Sequence, residues 1–224
     1  VWAANSGGTV NGDGEFVGDN GAADNRLLID EDSRQEIISG LGTGNDKVQN
    51  NSIEVSNGTI SEKIIGGMSE GDGDIDSNSI TISGGKMRDA VYGAYTEGSG
   101  IVAYNSVTLT DGLLNGEVYG GASTKNGIAE YNSVTVSGGT INMLATGGVS
   151  MDNVARYNNV TVTGGTIKGS IYGGMSEINA IENKVMISGG NIGGDVYGAE
   201  SKTESSATGN EVIISGTPTF ESAY

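Results

Sequence analysis

With no histidine and no cysteine, this 224-residue chain leaves its chemistry to tyrosine, carboxylate and carboxamide groups. The commonest general base and metal ligand is therefore missing, as are disulfides, zinc–thiolate sites and thiol nucleophiles. Tyr92, Tyr119, Tyr172 and Tyr197 each stand fourteen residues after an asparagine; Tyr224 is in phase, and Ile65 and Thr146 interrupt the series. On the outside of a repeat such rings stack ~4.8 Å apart, the spacing of neighbouring strands. They can bind sugar rings or a partner's apolar surface, or simply stack on each other. Tyr104, Tyr131 and Tyr157, each directly before an asparagine, form a second column with the same two readings.

The loop Glu70-Gly-Asp72-Gly-Asp74-Ile-Asp76 places carboxylates at alternate positions, as calcium loops do. An EF-hand also needs glutamate at the twelfth position from Asp72, where Ser83 stands, so a solvated acidic loop competes with a Ca2+ site at Asp72, Asp74 and Asp76. Basic residues are few and scattered (Lys63, Lys86, Arg88, Lys125, Arg156, Lys168, Lys184, Lys202), and none shares a corner with an evident acid cluster. The acid–base pairing of a polysaccharide-cleaving enzyme is not written in this pattern, although carboxylates can still meet across repeats. No catalytic residue is assigned, and no cofactor beyond possible Ca2+.

What positions these groups is an internal repeat. Asn-x-(Val/Ile/Leu)-x-(Val/Ile/Leu) begins at Asn25, Asn51, Asn78, Asn105, Asn132, Asn158, Asn183 and Asn210, at intervals of 25–27 residues. The apolar residues two and four after each asparagine alternate as in a strand with one buried face. Six residues after it come Asn57, Gly84, Asp111, Gly138, Gly164, Gly189 and Gly216, types that tolerate a left-handed backbone, usually followed by a second glycine. A lone apolar residue such as Ile60 or Met87 marks a second strand. Thirteen after the asparagine a third begins at Ile38, Ile64, Val91, Val118, Ala145, Ile171, Val196 and Ala223. Length changes are placed between this third strand and a small or apolar residue (Ala22, Val48, Ile75, Val102) three before the next asparagine.

The pattern predicts an all-β parallel β-helix of about eight coils, three short strands per coil; the spacing does not give its handedness, and a right-handed turn agrees with the chirality of parallel crossovers. Leucine-rich repeats share the period but place asparagine after the strand, and propeller blades need ~40–50 residues. The asparagines are expected to form a structural ladder, each side-chain amide bonded to its neighbours above and below. Residues 1–24 fit the register poorly and read as an N-terminal cap or an irregular first coil before the solenoid of 25–224, whose coil at Asn25 carries Asp30-Glu31-Asp32 in place of the glycine turn. The phase of Tyr224 leaves the last coil incomplete, as in a segment of a longer array.

Composition narrows the partners. Forty glycines with one proline fit neither collagen nor disorder, so glycine serves tight turns or close strand approach. A net charge of −17 repels nucleic acid, anionic membranes and polyuronates. No apolar run reaches the ~18–20 residues of a membrane-spanning helix, so direct membrane insertion is not expected.

The units Asn78-Ser-Ile-Thr-Ile-Ser-Gly-Gly with Val91-Tyr-Gly-Ala, and Asn158-Asn-Val-Thr-Val-Thr-Gly-Gly-Thr-Ile with Ile171-Tyr-Gly-Gly-Met-Ser, resemble repeats in the passenger regions of bacterial autotransporter adhesins over residues 25–224. The resemblance implies a secreted β-helix displayed at the bacterial cell surface by an outer-membrane barrel. The function expected is an extracellular structural or adhesive module, not an enzyme, that contacts a surface glycan or protein on host or bacterium. A spacer or filament subunit that self-associates end to end, and a polysaccharide-active enzyme on the same fold, are the alternatives.

Overall fold

The computed structural model describes residues 8–10, 16–18, 22–201 and 206–221. It is a parallel β-solenoid of about seven turns, with no helix among the described residues. Three sheets run along it. The broad sheet has 13 strands, the tyrosine sheet nine and the narrow sheet seven. The first two strands of each coil belong to the broad sheet, and in two coils they merge into single strands, Ser79–Met87 and Ser106–Leu114. The tyrosine sheet holds six-residue strands such as Val91–Thr96 and Val118–Ser123. The narrow sheet is built around the apolar residue that precedes each asparagine, as in Val48–Gln49 and Val102–Ala103.

Alternation buries the inward residues as the strand period requires. Ile80 and Ile82, Val107 and Leu109, Val134 and Val136, with Met87, Leu114 and Ile141, form one continuous core. Val48, Ile75, Ala94 and Val102 form a second, smaller core under the narrow sheet.

The asparagine ladder is complete from Asn25 to Asn210. The Oδ1 of Asn105 accepts the backbone N–H of Asn78 at 2.9 Å and its side-chain Nδ2–H at 2.8 Å. Asn105 in turn donates N–H and Nδ2–H to Asn132 Oδ1, both at 3.0 Å, and a further Nδ2–H to Ile75 O at 3.2 Å in the preceding coil. The same pattern repeats through Asn132, Asn158 and Asn183 to Asn210. Each asparagine thereby ties together three successive coils. The side chains lie inside the solenoid: a Cβ on Gly121 would stand 2.6 Å from Asn132.

Three expectations need correction. Ile38 is not the inward residue of the first coil. Ile37 pairs with Ile64 and joins the main core cluster, and Ile38 pairs with Ile65 in the column that Tyr92 continues, both of them fully buried. The cause is the Asp30–Asp32 turn, one residue shorter than the glycine turns, since Ile29 pairs with Val55 but Ser33 with Ile60. Length changes are therefore not confined to one corner, and a residue is added around Pro218 as well, where Ile187 pairs with Ile214 but Asn191 with Thr219. Finally, the left-handed residue of the turn is usually the second of the pair, Gly58, Gly85, Gly112, Gly139, Gly165 and Gly190, with Gly216 alone at the predicted place. The first glycine has another duty: a Cβ on Gly138 would lie 2.1 Å from Thr110 O of the coil before it.

Before the first coil, Gly8–Val10 and Phe16–Gly18 pair antiparallel, and Phe16 and Val17 pair with Ile37 and Ile38. Residues 1–7, 11–15 and 19–21 of the stretch expected to cap the solenoid, with Ala223 and Tyr224, lie outside the described residues.

Asn105→Ala removes the acceptor for two buried donors of Asn78 and the donor to Ile75 O. Each such buried group costs ~1–3 kcal/mol, so urea unfolding should show a loss of roughly 3–9 kcal/mol. A loss below about 1 kcal/mol would deny the ladder its structural weight. Gly120→Ala drives a methyl to 2.3 Å from Gly147 O and 2.6 Å from Ser133 N, all backbone. It should destabilise the same transition by at least ~1–3 kcal/mol.

Candidate functional site

The outer face of the tyrosine sheet carries two columns. One runs Ile38, Ile65, Tyr92, Tyr119, Thr146, Tyr172, Tyr197, in register from coil to coil. The other runs Leu41, Met68, Tyr95, Ala122, Val149, Met175, Glu200. Two outward positions three residues apart break strict alternation. The paired register is interrupted at Gly93, where a Cβ would lie 2.3 Å from Gly120 O; Tyr92 and Tyr95 are part-exposed on this face while Val91 and Ala94 are buried. The side chains confirm a shared face: the Tyr92 and Tyr95 rings meet edge to face at 5.2 Å, and Thr146 Oγ1 lies 3.7 Å from Met175 Sδ.

Sequence reasoning placed Tyr92, Tyr119, Tyr172 and Tyr197 in one column, and the structure sets them there as two stacked pairs. Tyr92 lies on Tyr119 and Tyr172 on Tyr197, each pair 5.0 Å between centroids. Thr146, fully buried, separates them. It missed the second column, although an apolar or aromatic residue recurs seventeen after most of the asparagines. Three hydroxyls of this face donate to carboxylates: Tyr95 to Glu97 at 3.3 Å, Tyr119 to Glu117 at 2.5 Å and Tyr197 to Asp195 at 3.2 Å. Burial, helped by the Glu117 carboxylate, pushes the Tyr92 phenol up to about 12. Burial and the hydrogen bond to Glu117 raise Tyr119 further.

Tyr104, Tyr131 and Tyr157 occupy a different corner. Their rings stack at 4.9 Å, nearly parallel, and all three are exposed. Each has a positive φ, from 54° to 57°, and so do Asp24, Asn50, Ser77 and Glu182 at the same place in their coils. This left-handed column was not anticipated. A tyrosine there carries a conformational cost of about 1–2 kcal/mol, offset by ring stacking worth ~0.5–1.5 kcal/mol per pair.

The carboxylates of the acidic loop do not converge. Asp72 Oδ1 accepts the N–H and hydroxyl of Ser99 at 2.9 and 2.8 Å, Asp74 Oδ1 accepts the N–H of Ile101 at 2.8 Å, and Asp76 pairs with Lys47 at 3.0 Å. The bonds from Ser99 hold the Asp72 carboxyl below the usual range. Each acid thus pins the corner of a neighbouring coil. Among the described residues no group of three or more acids could hold a metal ion.

Compared with protein-family models, with curated proteins and with solved structures, the chain matches none.

Two measurements follow. The neutral phenol is favoured in the folded state, so the stability Tyr92 contributes is complete below its unfolded value of ~10 and is lost as pH rises toward its folded value. Unfolding midpoints should decline above about pH 10, and ultraviolet titration should show Tyr92 and Tyr119 ionising above the ordinary tyrosine value of ~10. Ionisation of all tyrosines in one step near pH ~10 would contradict the buried strip. Calcium should leave the melting temperature unchanged; a rise abolished by Asp74→Asn would show instead that the loop binds the ion.

Proposed function

We propose that this chain is a non-catalytic structural and adhesive module of an extracellular or bacterial cell surface, part of an autotransporter-type passenger solenoid. The observation that carries the reading is the two-column apolar face of the tyrosine sheet, held in register over seven coils by the internal amide ladder. Repetition along a rigid rod suits contacts that are weak singly and strong together. The resemblance of the asparagine and Val-Tyr-Gly units to autotransporter passenger repeats supports the surface location. The net charge of −17 suits a soluble rod that does not bind nucleic acid.

Beads coated with the protein test this directly. They should adhere to host or bacterial cells, and a variant with serine at Tyr92, Tyr119, Tyr172 and Tyr197 should lose most of that adhesion while keeping its β-sheet circular dichroism. Adhesion no greater than that of uncoated beads, or equal adhesion by the variant, would refute the reading. Release of reducing ends from surface polysaccharides would favour the enzymatic alternative.

A further inference from the structure

Among the described residues, five basic side chains are paired with carboxylates: Arg26 with Glu54, Lys47 with Asp76, Lys63 with Glu36, Arg156 with Glu130 and Lys184 with Glu211. Arg34 and Arg88 pair with none of those residues' carboxylates, although acids outnumber bases 28 to 11 in this chain. Both are exposed, and both line one pocket of about 310 Å³ together with Asp32, Thr59 and Ser61.

The register brings them together. Ser33 and Met87 are each aligned with Ile60, so Arg34, Ser61 and Arg88, one residue further on, stand in a row across three successive coils. Ser33, Ile60 and Met87 are buried, which turns their successors outward by alternation. The row lies where the second strand of each coil, such as Thr59–Ile60, gives way to the corner before the tyrosine sheet. Its backbone is satisfied: the N–H of Ser61 donates to Ser33 O and that of Arg88 to Ile60 O, both at 2.9 Å. The nearby acids are turned elsewhere. Asp32 Oδ1 accepts the N–H of Thr59 and Asp89 Oδ1 that of Ala90, both at 2.7 Å, and Glu62 pairs with neither arginine.

Arg34 and Arg88 are two strand levels apart, ~9.6 Å, and the small Ser61 leaves the space between them open. Two guanidiniums grip one tetrahedral oxyanion from opposite sides when their carbons lie ~8 Å apart, which needs only a slight inward lean. The Ser61 hydroxyl adds a donor from the floor. Donors from three directions suit a group with three or more oxygens better than a planar carboxylate. The net charge of −17 repels an extended polyanion, which favours a single charged group.

We infer that Arg34 and Arg88, with Ser61 between them, form a binding site for one tetrahedral oxyanion, a sulfate or phosphate group. The site is separate from the tyrosine columns and does not rest on the adhesive reading.

The test is isothermal titration calorimetry of the whole chain at constant ionic strength with inorganic sulfate, inorganic phosphate and acetate. Sulfate or phosphate should bind at one site per chain, at least about tenfold tighter than acetate. Arg34→Gln and Arg88→Gln should each weaken that binding by about tenfold or more, with the β-sheet circular dichroism unchanged. Arg88→Lys keeps the charge but loses the planar fork and should weaken it by about threefold. Lys168→Gln, at the same place three coils beyond Arg88, removes the same charge and should leave binding unchanged.

Methyl sulfate and methyl phosphate present the same group as an ester. Binding as tight as that of the free ion would support a group carried on a larger molecule, and binding of the free ion alone would support an inorganic ligand at the same site. Absence of saturable binding by either anion, equal binding of acetate, or indifference to both glutamine variants would overturn the proposal. So would an equal loss on Lys168→Gln, which would reduce the effect to net charge.

Discussion

A column of buried carboxamides sets the terms for everything else in this solenoid. An amide taken out of water is costly unless its oxygen and both its hydrogens find partners. Inside a stack of coils the groups that recur at the right height are the same amide one coil away and the nearby backbone. Asn78, Asn105, Asn132, Asn158 and Asn183 meet that requirement in the same way: an oxygen that accepts twice from the preceding asparagine, one hydrogen to the next oxygen, and one to a carbonyl of the coil behind. Hydrophobic burial alone would tolerate a coil slipping against its neighbour, because one β-branched residue resembles another. The amide column does not tolerate it.

Register held from within becomes order on the outside. Because each coil repeats the height and azimuth of the one before, outward residues with the same phase must stack, and tyrosines at that phase become ladders with 4.9–5.0 Å between rings. Length variation is pushed to the corners, where Asp72, Asp74 and Asp76 bond to neighbouring coils. The same rigidity aligns the two outer columns of the tyrosine sheet on one face. A flexible chain would have to order that face on binding; here the ladder has ordered it in advance.

Much of this was legible in the residues. The inward pairs such as Val107 and Leu109, the asparagine phase and the parallel stacking follow from a period that every coil repeats. What escaped was local. Ile38 was misphased because an acidic turn closes in one residue fewer than a glycine turn, and nothing in a fixed offset reveals that. Gly58 rather than Asn57 takes the left-handed conformation, and Gly58 also lies against the coil before it, where a Cβ would stand 2.1 Å from Glu31 O. The second outer column escaped because alternation assigns position 95 the opposite face from position 92, whereas the register is interrupted at Gly93 and both tyrosines share a face. The acidic loop read as alternate ligands, yet its acids bond to Ser99, Ile101 and Lys47, partners set by stacking and invisible along the chain.

The central claim, that interlocked side-chain amides hold the coils in register, is open to one direct measurement: hydrogen exchange of the asparagine Nδ2 protons by nuclear magnetic resonance. If the ladder is continuous, the side-chain protons of Asn78, Asn105, Asn132 and Asn158 exchange as slowly as backbone amides of the core strands, in a single cooperative class. Exchange of those protons at the rate of a solvent-exposed asparagine such as Asn50, in a chain whose strands remain protected, would contradict the account.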